Sequence, residues 1–265
     1  LGESSTMNVV VTVKQIPDPA EPGALDPDNT LKRDGKLILD EADSYGVEVG
    51  LQLVDKAGSG EVTLVSVAPN GEVSGLRTAL AMGAAKAILV SDEAIAGSSS
   101  LGTAKILAAA IKRVEGADLV LTAVEASDGY TGTVAAQLAE LLGLPSVTFA
   151  KHIEVDGSTA KVQRQTEGGY EEIEVALPAL VSVTGGVVEP RYPSFKGIMA
   201  AKSKPVDQLT IADLGLEAGQ VGWAGAGQQI TAVTPAEERA AGEKIVDEGD
   251  AHEKIVAFLD QLKVI

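Results

Sequence analysis

The chain has 265 residues, a net charge of −17 and no cysteine, so it can bury a sizeable core as one large or two small domains but carries no disulfide, thiolate metal site or cysteine nucleophile. Its two histidines, His152 and His252, are too few for a histidine-rich metal site and read as surface residues rather than catalysts. The acidity argues against nucleic acid, whose binding draws on phosphate neutralisation, and no apolar run reaches the length of a membrane span, so no membrane insertion is expected.

Residues 1–6 precede a candidate initiator at Met7 and read as a vector-derived remnant outside the fold. With no signal-peptide pattern, a cytoplasmic protein is the expectation. From Asn8 onward, β-branched runs alternate with helical patterns. Residues 8–13, 62–67, 87–90 and 119–123 read as buried strands, continuous, apolar and bounded by Gly, Pro or Asp. Between them, 40–56, 71–82 and 99–114 read as helices. A fourth helix over 133–142 puts Val134, Leu138, Leu141 and Leu142 on one face. Such alternation predicts a parallel sheet with right-handed crossovers and helices on both faces.

After Leu144-Pro145 the pattern changes. Residues 153–155, 160–165 and 171–175 are short and alternating, with Asp156-Gly157 and Gly168-Gly169 as turns, which predicts an antiparallel hairpin added to the sheet. A strand at 179–183 follows. Beyond Leu216 the chain is rich in Gly and Ala; 219–229 reads as too irregular for the core, and a helix is expected from about Pro235 to the end. The apolar face of 254–262 favours docking of that tail on a partner.

No P-loop, Gly-x-Ser-x-Gly or Gly-x-Gly-x-x-Gly after the first strand is present, and no nucleophile stands beside a base. The best small-molecule site is the loop Ala123-Val124-Glu125-Ala126-Ser127-Asp128-Gly129-Tyr130-Thr131-Gly132-Thr133-Val134. Gly129 and Gly132 let the backbone approach a ligand, and Ser127, Thr131 and Thr133 offer hydroxyls near a helix N-terminus that suits a phosphate. The same residues would equally make an ordinary Ser/Asp cap with tight-turn glycines. A doubly wound strand order would set the first and fourth strands side by side, with 12–15 facing 127–134 across a ligand crevice.

The last distinctive segment is Glu189-Pro190-Arg191-Tyr192-Pro193-Ser194-Phe195-Lys196-Gly197-Ile198-Met199-Ala200-Ala201-Lys202-Ser203-Lys204, basic in an acidic chain. Two prolines stiffen it, which predicts a loop with Phe195 at its tip.

That run closely resembles the signature of the electron transfer flavoprotein beta subunit. In the same order along the chain, Val11-Thr12-Val13-Lys14-Gln15 with Pro17-Asp18, Arg77-Thr78-Ala79-Leu80-Ala81-Met82-Gly83-Ala84, Asp128-Gly129-Tyr130-Thr131-Gly132, Glu167-Gly168-Gly169 and Leu177-Pro178-Ala179-Leu180-Val181 resemble that family too. The resemblance implies a doubly wound, mostly parallel, Rossmann-like α/β domain over 7–216, with the added hairpin, and an arm over 217–265 docking on an alpha subunit. It implies a structural AMP held by Thr12, by Asp40, Glu41, Ala42 and Asp43, by Val67, and by the 123–134 loop. FAD would sit chiefly in the alpha subunit, with this chain as a shallow cradle and no catalytic residue of its own.

Residues 184–204 would be the loop that docks on flavin dehydrogenases such as acyl-CoA dehydrogenases, using Glu189, Pro190, Arg191, Tyr192, Phe195, Lys196, Met199, Lys202 and Lys204, with Phe195 as anchor. Electrons would pass on to a membrane quinone oxidoreductase. The chain departs from the family's usual residues at Thr133, where Gln is common, at Asp40-Glu41, where an Asn-Pro pair is common, and at Phe195, where Leu is common. Two other readings stay open: a bifurcating relative with a second FAD that reacts with NADH, and a nucleotide-binding module of the universal-stress type.

Overall fold

A computed structural model describes residues 6–68, 70–237, 241–242 and 244–265, so residues 1–5 of the expected remnant lie outside the described part. The chain divides into two compact units, Leu1–Ile230 and Thr231–Ile265.

The first unit is built on a nine-stranded sheet. Its strands are β1 (Met7–Thr12), β4 (Gly60–Ala68), β5 (Lys86–Ser91), β6 (Leu119–Ala123), β7 (Ser146–Asp156), β8 (Thr159–Thr166), β9 (Gly169–Ala176), β10 (Ala179–Val183) and β11 (Val206–Leu209). They lie in the order β11-β5-β4-β1-β6-β10-β7-β8-β9. A separate antiparallel pair joins β2 (Gln15–Pro17) to β3 (Leu37–Leu39). The sheet is parallel from β11 to β7 and antiparallel from β7 to β9. The fold is the doubly wound α/β class that the alternation predicts. The expected hairpin is a three-stranded extension: the start of β7 runs parallel to β10, and the rest of it turns to pair with β8 across a bulge.

The helices are α1 (Glu41–Ala57), α2 (Ser74–Met82), α3 (Ser100–Ile111), α4 (Val134–Leu142), α5 (Phe195–Ala201), α6 (Gly222–Gly225) and α7 (Ala251–Gln261). In the first unit α1 and α2 cover one face of the sheet and α3 and α4 the other, because successive strand side chains point to opposite faces. Val9 and Val11 join Leu64, Leu76 and Leu80 under α1 and α2, whereas Val10 joins Val65, Ile106 and Leu138 under α3 and α4. α1 lies unusually close to the sheet: a Cβ on Gly50 would come within 3.2 Å of Val9 Cγ1.

The structure departs from expectation in three places. Phe195 does not cap a loop. It opens α5, because Pro193 leads into Ser194, whose hydroxyl accepts from Gly197 N at 3.0 Å as an N-cap. The irregular stretch 219–229 does reach the core: Val221 is wholly buried in the cluster that holds Ile95 and Ile106, on a turn that Gly222 makes possible at φ +58°. In the second unit, no described residue from Pro235 to Asp250 is helical, and α7 begins only at Ala251; Gly242 and Gly249 interrupt the pattern, and 238–240 and 243 lie outside the described residues. On α7 the side chains of Ile255, Val256 and Phe258 are exposed. Among the described residues, no helix is long and apolar enough to cross a membrane.

Candidate functional site

β1 lies between β4 and β6, so the chain leaves the sheet in opposite directions on its two sides. At such a point the carboxyl ends of adjacent strands open a crevice. Here it is a cleft of about 690 Å³, within the usual range for small-molecule sites.

Asp40 ties its walls together. Its buried carboxylate accepts from Ala42 N at 3.1 Å, capping α1, and from Ser127 N and Oγ at 2.8 and 2.9 Å, stapling the 123–134 loop to that helix. Asp128, with a side chain 6% exposed, is the second tie. It accepts from Lys14 Nζ at 2.6 Å and from the Arg33 guanidinium, joining the loop to the chain just past the end of β1 and to the segment before β3. Burial works against the Asp128 carboxylate, but Lys14 and Arg33 hold its pKa below the ordinary aspartate value. Asp43 differs: burial pushes its pKa well up, and the nearby Asp40 and Asp128 push the same way, against a 2.6 Å bond from Lys14 N.

The loop ends at α4. Gly132 turns the chain at φ +62°, Thr133 makes no side-chain cap bond, and no acid occupies the first turn. The backbone N–H groups of that turn face outward with the positive end of the helix dipole. This is a place for an anion.

Of the residues that the sequence singles out, Thr12, Asp43, Val67, Ala123, Val124, Glu125, Ala126, Asp128, Gly129, Thr131, Gly132 and Val134 line the cleft. Asp40 and Ser127 stand behind it as the staple, and Glu41 and Ala42 form the first turn of α1. Thr133 precedes α4, and Tyr130 is 68% exposed. Sequence reasoning missed Arg33, the lining residues Asn29, Thr30 and Leu31, Asn70, and the Ile95–Ser98 wall. These lie in segments with no periodicity, and nothing in their spacing marks them.

The 189–204 segment is anchored away from the cleft. Glu189 is exposed and Pro190 half-buried. Arg191 donates from Nε and Nη2 to Glu48 at 2.7 and 3.1 Å and from Nη2 to Asp55 at 3.2 Å, fastening the segment to α1. Lys204 turns its ammonium inward, onto Leu80 O and Ala84 O. What remains outside is Tyr192 at 91% exposure and Phe195 at 80%, with Ile198, Met199, Lys196 and Lys202 beside them. Large apolar side chains this exposed are a mark of interaction surfaces.

A family model for the electron transfer flavoprotein domain matches residues 28–214. The chain is 42% identical to the electron transfer flavoprotein subunit beta of Mycobacterium leprae over 264 residues, covering 97% of this chain and 99% of that one. It belongs to the electron transfer flavoprotein beta-subunit family. The Mycobacterium tuberculosis subunit is 40% identical over the same length, with the same coverage of both chains. The Caffeyl-CoA reductase-Etf complex subunit CarD of Acetobacterium woodii is 38% identical over 211 residues, covering 79% of this chain and 80% of that one. Membership in this beta-subunit family supports an electron-transfer role, with flavin in the assembled complex and an alpha subunit as partner.

Proposed function

We propose that this chain is the beta half of a heterodimeric carrier in the cytoplasm. It takes electrons from flavin dehydrogenases of the acyl-CoA dehydrogenase type and delivers them to a membrane quinone oxidoreductase. FAD, held mainly by the alpha subunit, supplies the redox chemistry. This chain's residues bind, orient and dock. The Thr231–Ile265 unit, with its exposed apolar helix α7, is the surface offered to the alpha subunit.

The cleft holds AMP. The observation that carries this is the open first turn of α4 beside Thr131 and Gly132, a cradle for a phosphate in an otherwise acidic chain. Lys14 and Arg33 neutralise Asp128 and so keep the wall from repelling that phosphate. Val67 and Ile95 give the cleft apolar surface for the base. Phe195 and its exposed neighbours on α5 form the docking face for the dehydrogenase, with Lys196 and Lys202 steering acidic partners.

The test is to purify the heterodimer, denature it and measure the released nucleotides. One FAD and one AMP per heterodimer is the expected result. Two FAD and no AMP would instead support the bifurcating reading, in which the same cleft takes a second flavin.

A further inference from the structure

Arg77 and Lys204 stand in stretches of distinctive sequence that the cleft does not use, and they meet at the contact between α2 and α5. The last carbonyls of any helix have no partner within it. Lys204, just past the end of α5, donates from Nζ to Leu80 O and Ala84 O at 2.8 and 2.7 Å, closing the end of α2. Arg77, on α2, donates from Nη1 to Ala201 O and Lys204 O, both at 2.7 Å, closing the end of α5. Each cation therefore sits at the negative end of the other helix's dipole. Burial lowers the pKa of Lys204, as befits an ammonium drawn away from water.

Between the caps the helices touch backbone to backbone: a Cβ on Gly197 would lie 2.4 Å from Ala81 O. The inner side of α5 is thus fixed while Phe195, Ile198 and Met199 stay exposed on its outer side. A helix of two turns does not hold itself in water. Without the caps it would fray, or fold its apolar side chains onto the nearest apolar surface.

We propose that Arg77 and Lys204 are positioning residues for docking: their reciprocal capping holds α5 on α2 in the orientation that presents Phe195, Ile198 and Met199 to the dehydrogenase. This rests on the docking role of Phe195 proposed above. A face that is ordered beforehand spares the cost of ordering it on binding, so the caps act on association rather than on electron transfer within the docked complex.

The experiment uses the FAD-loaded heterodimer and an acyl-CoA dehydrogenase that reduces it. Arg77→Gln and Lys204→Met are compared with Arg77→Lys, which keeps a donor in place, and with Phe195→Ala. Hydrogen exchange at residues 198–201 reads the position of α5 directly. The loss of either cap is expected to speed exchange and to raise KM for the heterodimer about tenfold, with kcat at saturation and FAD content unchanged. Arg77→Lys should recover much of both effects. Unchanged exchange in Arg77→Gln and Lys204→Met overturns the proposal. Faster exchange with unchanged KM overturns it too, and Phe195→Ala shows where the error lies: if that variant raises KM, docking stands and the caps are dispensable to it; if it does not, the docking reading itself has failed. Should Arg77→Gln not assemble, the graded pair Arg77→Lys and Lys204→Met decides the question through the same two readouts.

Discussion

Asp43 and Glu48 lie on the same helix and are both buried, at 7% and 3% exposure, yet their carboxyls are pushed in opposite directions. Burial raises both. At Glu48 the side chains of Arg191 and Gln52, with Arg191 N, outweigh it, and the pKa falls below the ordinary glutamate value. At Asp43 burial prevails, because the nearest ammonium, that of Lys14, is committed to Asp128 and only Lys14 N reaches the carboxylate. The middle of α1 uses its charge to hold the 189–204 segment in place. Its N-terminal end keeps an unneutralised carboxyl on the wall of the cleft. Perturbed groups of the second kind gather where ligands bind.

The largest effect on this contrast should come from Arg191→Met. It strands Glu48 with Gln52 as its remaining side-chain partner. Removing one partner of a fully buried pair costs roughly 3–5 kcal/mol; because the Arg191 side chain is 38% exposed, solvent screening brings the expected cost to about 2 kcal/mol. In the heterodimer this should lower the unfolding midpoint by roughly 5 °C at neutral pH. The pKa of Glu48 is lowered in the folded state, so its contribution is present above its unfolded value of 4.5 and is lost as pH falls through the folded value. The deficit of the variant should therefore shrink in acid. A deficit of constant size across that range would mean that packing of the arginine stem, and not the ion pair, holds the segment.

Much of this layout is legible in the sequence, for reasons that particular residues make plain. Residues 8–13 and 62–67 are uncharged runs rich in Val and Thr, and a strand covered on both faces uses such a run. Asp40 before a helical pattern marks the start of α1. The loop at 123–134 stands out because Gly129 and Gly132 sit between a strand and a helix. By contrast, β2, β3 and β11 are three or four residues long and show too little periodicity to be seen. Arg33 and Arg77 show no role of their own in the sequence, and Lys204 reads as a lysine facing a partner whereas its ammonium turns inward onto Leu80 O and Ala84 O, because what a cation does is decided by which carbonyl or carboxylate the fold brings to it. Val221 is hidden in the same way: one apolar residue among glycines has no pattern until Gly222 turns it inward.

Asp43→Asn probes the other end of α1. Asparagine can still accept from Lys14 N but cannot ionise. The folded-state pKa of Asp43 is raised, so the stability tied to it is present in full below the unfolded value of 3.8 and is lost as pH rises through the folded value. The variant should match the wild type near the acid end of the folded range. At neutral pH it should gain, melting roughly 3 °C higher. Thermal unfolding of both heterodimers across that range is the measurement, and parallel curves would show that Asp43 is not held against its charge.

The smallest effect belongs to Glu171→Gln. Arg164 and Glu171 face each other across β8 and β9 at 2.9 Å, a guanidinium–carboxylate contact about as short as that of Arg191 with Glu48. Their side chains, however, are 37% and 55% exposed, whereas that of Glu48 is 4% exposed. Water already solvates both ends of the exposed pair, and ordering two long side chains offsets most of what attraction remains. The unfolding midpoint should therefore move by less than about 1 °C, with no pH dependence near that of Arg191→Met. A loss as large as that of Arg191→Met would mean that contact distance, and not burial, sets the strength of these pairs, and the contrast drawn between the two ends of α1 would fall with it.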